Sequence, residues 1–282
     1  MGKVTGISWT DHTANFWWGC IKVDRGCEHC YAETLSKRVG YNIWGPEATT
    51  TRRLIKSTWN DIVKWDKQAG ADGVRRKVFI QSMSDFLEHN DQLDETRKRA
   101  KGVIEGLRNL DVLLLSKRPQ MANAYLSDWI SGWPSHVWFG TSVAEQKDCE
   151  RVITVMSSPA PVKWISVEPQ LGPVDLFNII ESGSTHVNAL MGRMSDKPIK
   201  SAHDGVSVTF DGKRRTPISW VIVGGESGAG CRPFDIAWAR DLLQQCRESG
   251  TAFFMKQLGG HPDKRHDPEG WPEDIRVREF PR

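Results

Sequence analysis

The sequence has no apolar run long enough to span a membrane, and its start, Met1-Gly2-Lys3-Val4, leads into polar residues without the apolar region of a secretory signal. These absences predict a soluble, cytoplasmic protein with no membrane partner. Net charge is also nearly missing: 38 Lys and Arg stand against 35 Asp and Glu in 282 residues, a formal +3. Bulk charge therefore makes no case for a nucleic-acid partner, although a local basic patch fits inside a balanced total. There is no internal repeat, low-complexity tract or long linker, which argues against a repeat array. Cysteines number only six. In a reducing compartment they point away from three disulfides, and their spacing has to be read for metal or catalytic chemistry.

What is present suits one folded body. Hydrophobic residues make up 39% and charged residues 26%, enough for a sizeable core. The thirteen tryptophans are expected mainly in core and rim packing. Short apolar segments recur at 77–82, 111–116, 136–141, 162–167, 219–223 and 252–256, with a weaker one at 15–20. Such near-continuous runs suit strands buried on both faces of a parallel sheet. Helical patterns separate them. Residues 91–110 carry Val103, Ile104, Leu107 and Leu110, 119–130 open on Pro119, and 144–156 align Val152, Ile153 and Met156. Residues 235–249 open on the N-cap type Asp235 and stop at Gly250. Most strand starts lie about 25–35 residues apart, one strand–helix unit each. The polar excess at about 183–217 reads as an insertion, with a hairpin around 206–214 turning on Asp211-Gly212. The alternation predicts a single α/β domain over 1–282 with parallel strands, a partial or complete (β/α) barrel, and a doubly wound sheet as runner-up.

The informative cysteines lie in Gly19-Cys20-Ile21-Lys22-Val23-Asp24-Arg25-Gly26-Cys27-Glu28-His29-Cys30-Tyr31. Closely spaced thiolates hold iron–sulfur clusters. Three thiolates leave one iron of a four-iron cluster open to a substrate or cofactor. The same spacing serves half a structural zinc site, completed by Cys20 and His29 or His12. Spacing alone leaves the two metals balanced. Placement favours the cluster, because the triplet follows the first strand candidate, at the end where α/β barrels build their sites.

Beyond the cysteines, the chain carries Trp9-Thr10-Asp11, Cys30-Tyr31-Ala32-Glu33, Ser82-Met83-Ser84-Asp85 and Ser116-Lys117-Arg118-Pro119. It also carries Ser166-Val167-Glu168-Pro169, Leu171-Gly172-Pro173-Val174-Asp175 and Val223-Gly224-Gly225-Glu226-Ser227-Gly228. Together these motifs resemble a bacteriophage-associated family of radical-SAM-like proteins, distantly similar to spore photoproduct lyase. The resemblance covers nearly all of the chain outside 183–217. It departs at Phe16, where the family pattern has Pro, and its first cysteine interval is longer than the three residues usual in the wider superfamily. It implies a barrel of the radical SAM type, a [4Fe-4S] cluster on Cys20, Cys27 and Cys30, and S-adenosylmethionine (SAM) at the open iron. One-electron reduction by flavodoxin or ferredoxin would then cleave SAM to methionine and a 5′-deoxyadenosyl radical, which takes hydrogen from a substrate.

Polar residues close each strand candidate, and in a barrel they would meet at one mouth. With the resemblance, Ser84, Thr141, Glu168, Glu226, Ser227 and Arg232 become candidate SAM contacts, with Arg232 on the SAM carboxylate and Tyr31 or His29 near the adenine. A plain turn between strand and helix is the lesser alternative for the Gly224–Gly230 run. Cys231 is a candidate hydrogen donor or redox thiol, with a buried free cysteine the heavier expectation, as for Cys149 and Cys246. Nucleic acid or nucleotide is favoured as substrate, with Lys117, Arg118, Arg214 and Arg215 as phosphate partners. The rivals are a zinc-binding interaction module without radical chemistry and a cluster-free barrel hydrolase or lyase using Glu168 and Glu226 as acid and base.

Overall fold

The computed structural model describes residues 5–130, 132–181, 183, 185–198 and 214–281. It divides into two compact units, Met1–Phe139 and Gly140–Arg282. The first unit runs through β1 (His12–Ala14), β2 (Trp17–Trp18), α1 (Tyr31–Arg38), β3 (Arg53–Leu54), α2 (Thr58–Ala71) and β4 (Arg76–Ile80). It continues through α3 (Asp94–Glu105), β5 (Leu110–Ser116), α4 (Ala122–Tyr125) and α5 (Ser127–Ile130), and the division falls within β6 (Val137–Ser142). Strands β1, β4 and β5 pair in parallel, with Ala14 opposite Ile80 and Ile80 opposite Leu114. Val78, Ile80, Val112 and Leu113 are fully buried, as expected for strands covered on both faces.

The start of the sheet differs from expectation. The parallel edge strand is 12–14, not 15–20. Its His12 and Thr13 are half-exposed, so it lacks the apolar signature of the inner strands. Trp17 and Trp18 instead form a short antiparallel pair with β3, and Trp17 stacks on Phe86. Helix α2 is an element the sequence pattern passes over. Its buried stripe is Thr58, Ile62 and Ala69, of which only Ile62 is large and apolar. The predicted 91–110 helix is shorter. Asn90 caps a 3-10 turn at Asp91–Leu93, and α3 then ends at Glu105, so that Leu110 opens β5. The 119–130 segment breaks into a turn at Pro119–Met121 followed by α4 and α5.

The second unit contains the rest of β6, then α6 (Glu150–Met156), β7 (Lys163–Val167), β8 (Ile179–Ile180), β9 (His186–Asn188) and β10 (Arg193–Ser195). It ends with β11 (Trp220–Gly224), α7 (Ile236–Ser249) and β12 (Ala252–Gln257). Strands β7, β11 and β12 pair in parallel, and every residue of β7 and β11 is buried. Helix α7 starts and stops as predicted: the Asp235 carboxylate accepts from the Ala237 N–H at 2.8 Å, and Gly250 closes it in the left-handed region at φ 72°. Strands β8 to β10 form a separate three-stranded antiparallel sheet, so the first part of the predicted insertion is structured. The hairpin expected around 206–214 lies outside the described residues except for Arg214, which bridges Arg193.

The long sheet is ordered β1-β4-β5-β6 in the first unit and β6-β7-β11-β12 in the second. In neither unit does the order reverse. A doubly wound sheet needs such a reversal, so the winding is the sequential one that α/β barrels share. Among the described residues no helix is long and apolar enough to cross a membrane.

Candidate functional site

The three thiols are all half-buried on the loop between β2 and α1. The segment after β4 fixes the approach to this loop. Gln81 ends that strand in the left-handed region, at φ 64°, a conformation that costs a non-glycine residue about 1–3 kcal/mol and persists only where the surroundings hold it. The surroundings here are the 15–17 backbone. Gln81 Oε1 accepts from the Phe16 N–H at 2.6 Å, and Ser84 Oγ donates to the Trp17 carbonyl at 3.1 Å. Asn15 Oδ1 accepts from the Met83 N–H, and the Gly19 N–H donates to the Met83 carbonyl. Gly19 has φ 109°, and a Cβ there would lie 2.5 Å from the Ile43 carbonyl oxygen, so glycine is required at the position before Cys20.

Three cationic side chains then hold the loop. Arg52 is wholly buried and pairs with Glu88, which is 1% exposed, while its other N–H groups reach the Ile43 and Gly45 carbonyls and Thr50 Oγ1. The Gly45 N–H in turn donates to the Cys20 carbonyl at 3.0 Å. Lys117 pairs with Asp24 at 2.9 Å, inside the interval between the first two cysteines. Arg118 donates through Nη2 to the Ile21 carbonyl at 2.7 Å and through Nη1 to Asp85 at 2.9 Å and Cys20 Sγ at 3.7 Å. At the far end Lys22 and Lys37 both pair with Glu33 of α1. Burial opposes the charge on Glu33, yet the two ammonium groups hold its carboxyl below the usual range.

The thiols differ in environment. Burial pushes the Cys20 thiol up and Asp85 adds to this, while Arg118 pulls the other way. Burial also raises Cys30, while its place at the start of α1, beside the Glu33 and Ala32 N–H groups, works in the opposite direction. The Cys20 sulfur thus has a cationic donor suited to an anionic ligand form. Three soft thiols on one loop, one of them with a cationic donor in place, are a donor set whose chemistry fits an iron–sulfur cluster. Among the described residues no group of three or more His, Cys, Asp or Glu side chains is arranged to hold a metal ion.

Of the other candidates in this unit, Ser84 is committed to Trp17 and Gln81. Tyr31 is 53% exposed and donates its hydroxyl to the Ser82 carbonyl at 2.6 Å, tying α1 to the same grip. Lys117 and Arg118, expected on phosphates, face the cysteine loop instead. Sequence reasoning missed Arg52, Glu88, Gln81 and Asn15. The positive φ at Gln81 has no sequence signal, and Arg52 reads as one charge among many. A groove along the outer face of α2, lined by Trp59, Val63, Lys64 and Lys67 among others, includes none of the cysteines.

The second unit gathers its own polar strand ends. Glu168, after β7, pairs with Lys256 of β12, and its peptide bond to Pro169 is cis. Glu226, after β11, accepts from the Arg232 N–H and Nε and pairs with its Nη2. These two candidates therefore meet each other directly. Ser227 bridges Gly260, and Thr141 is fully buried in β6. At Gly225 a Cβ would lie 2.2 Å from the Leu258 carbonyl oxygen, so this glycine serves the packing of its turn. Cys149 and Cys246 are buried as expected, whereas Cys231 is half-buried. Arg215 pairs with Glu181.

A parallel α/β protein with a thiol-bearing loop beside its first strands is the class that fold and site define. The chain matches the family described as Protein of unknown function (DUF5131) over residues 4–275, and it belongs to that family. No curated protein and no solved structure matches it.

Proposed function

We propose that this protein is a radical SAM enzyme in which Cys20, Cys27 and Cys30 hold a [4Fe-4S] cluster and leave one iron for SAM. The observation that carries this reading is the mount of the three-thiol loop, with Arg118 donating to Cys20 Sγ and Cys30 placed at the start of α1. A cluster spreads its thiolates over different irons, whereas structural zinc gathers four ligands around one point, and three thiols on one loop leave one iron of a four-iron cluster open. When bound and reduced by one electron, the cluster supplies the reductive cleavage of SAM to methionine and a 5′-deoxyadenosyl radical.

The chain's own part is to bind, orient and shield. The Gln81, Asn15 and Arg52 contacts preorganise the backbone that leads into the loop. Tyr31 presents an exposed ring beside the cysteines for the adenine. Glu168, Glu226, Ser227, Arg232, Ser84 and Thr141 are the proposed polar contacts. The paired carboxylates and cations of the second unit suit ribose hydroxyls and the zwitterionic end of SAM. A small acidic electron carrier such as flavodoxin or ferredoxin supplies the electron. The substrate class stays nucleic acid or nucleotide on the resemblance alone, with Lys117, Arg118, Arg214 and Arg215 as its phosphate candidates.

The test is anaerobic reconstitution with iron and sulfide, followed by iron counting, electron paramagnetic resonance and a SAM-cleavage assay with dithionite. Four irons per chain and 5′-deoxyadenosine are expected, both lost in a Cys20→Ala, Cys27→Ala, Cys30→Ala variant. One tightly bound zinc, no iron uptake and no SAM cleavage would overturn the reading.

A further inference from the structure

The geometry points to Arg118 as a positioning residue that sets the reduction potential of the metal centre through Cys20; this rests on the cluster reading above. Arg118 ends up beside the sulfur for local reasons. It follows β5 and precedes Pro119, which disfavours the helical conformation at Arg118 and delays the next turn. Its N–H donates to Ser116 Oγ at 2.9 Å, fixing the backbone at the strand end. The side chain then crosses to the cysteine loop, where it is 11% exposed.

Asp85 is the mount. Its carboxylate accepts from Ser116 Oγ at 2.6 Å, from the Leu87 N–H at 3.0 Å and from the Lys117 N–H at 3.1 Å. These three neutral donors hold the carboxylate in place independently of Arg118. Arg118 Nη1 sits between this anion and Cys20 Sγ, and Nη2 is pinned on the Ile21 carbonyl. A permanent, water-shielded cation is thereby fixed against one ligand sulfur. Reduction adds one negative charge to the centre. A nearby cation favours the reduced form, and hydrogen bonds to ligand sulfur act in the same direction. Asp85 opposes it, being an anion at one remove. The pair therefore predicts two substitutions of opposite sign.

The experiment is a redox titration, followed by electron paramagnetic resonance, of anaerobically reconstituted full-length protein, in wild type, Arg118→Met, Arg118→Lys and Asp85→Asn. Arg118→Met should lower the ratio of reduced to oxidised centre at a fixed potential by roughly tenfold, a shift of about 59 mV for one electron. Asp85→Asn should shift it the other way, and Arg118→Lys should lie between wild type and Arg118→Met. A residue that only straps the loop would change iron retention without this reversal of sign. Either variant carries the test if the other fails to fold. Ratios within twofold of wild type in the variants that load iron would overturn the assignment. Wild-type protein that takes up no iron would overturn the cluster reading, and this assignment with it.

Discussion

The two units place charge at their strand ends in different ways. In the first, Arg52, Lys117 and Arg118 leave their own elements and end on the backbone or acidic groups of other loops. In the second, Lys256 meets Glu168 and Arg232 meets Glu226, cation to carboxylate. The first arrangement fixes a backbone path, so its energy depends on the loop being in place. The second pairs side chains with each other, apart from the Arg232 N–H on Glu226, and holds no second loop by its backbone carbonyls. The thiol loop is held by contacts to its backbone; the Glu–Lys and Glu–Arg pairs are, on the proposal above, the contacts a ligand would replace.

The strongest way to break this contrast is to remove one cation from each unit. Arg52→Met leaves the Glu88 carboxylate, 1% exposed, without its partner, together with two carbonyls and a hydroxyl. Removing one member of a buried pair costs about 3–5 kcal/mol. Lys256→Met removes a cation that is 18% exposed, and the expected loss is about 1 kcal/mol or less. Urea unfolding of both variants checks this. Equal losses would remove the distinction between mount and contact.

The next effect is at Gly19. Gly19→Ala meets both a positive φ and the Ile43 carbonyl, with the buried Arg52 Cδ at 2.8 Å on the other side. Neither neighbour can yield cheaply. The expected cost is about 1–3 kcal/mol, with iron uptake reduced in parallel. Uptake at the wild-type level would show that the loop path is not set at this residue.

The sequence made the inner strands legible because β7 and β11 are apolar throughout and bounded by turns. It made α7 legible because Asp235 and Gly250 cap it by local chemistry. It misplaced the first strand because an edge strand with His12 and Thr13 carries little hydrophobic signal, while the adjacent Phe16-Trp17-Trp18 carries much. The cysteines were legible as a candidate donor set from spacing alone. Their mount was not, since Arg52 lies 36 residues from Glu88 and Arg118 lies 98 from Cys20, and only the fold joins them.

A smaller, pH-dependent effect separates pairing from plain burial. Lys163, at the start of β7, is 2% exposed and donates to the Ala160 carbonyl; burial pushes its ammonium down to about 8. Between about 8 and its ordinary 10.5 the unfolded chain binds more protons than the folded one, so stability rises with pH across that window. Below it both states are protonated and the slope vanishes. Lys163→Met should flatten the slope and gain roughly 1–2 kcal/mol at pH 7. Denaturant midpoints taken from pH 7 to 10.5 read this, and parallel slopes in the two proteins would refute it.

The smallest effect tests whether the mount and the cofactor contacts overlap at one residue. Tyr31 donates one hydrogen bond to the Ser82 carbonyl, and its ring is largely in solvent. Tyr31→Phe keeps the ring and loses the bond. Water can replace the hydroxyl, so the stability loss should sit near the lower end of the usual 0.5–1.5 kcal/mol, about 0.5. If the ring packs against the adenine of SAM, Tyr31→Phe keeps its SAM affinity while Tyr31→Ala loses it, as calorimetry on reconstituted protein would read. If Phe and Ala weaken SAM binding equally, the hydroxyl tie to Ser82 is what matters, and Tyr31 belongs to the mount.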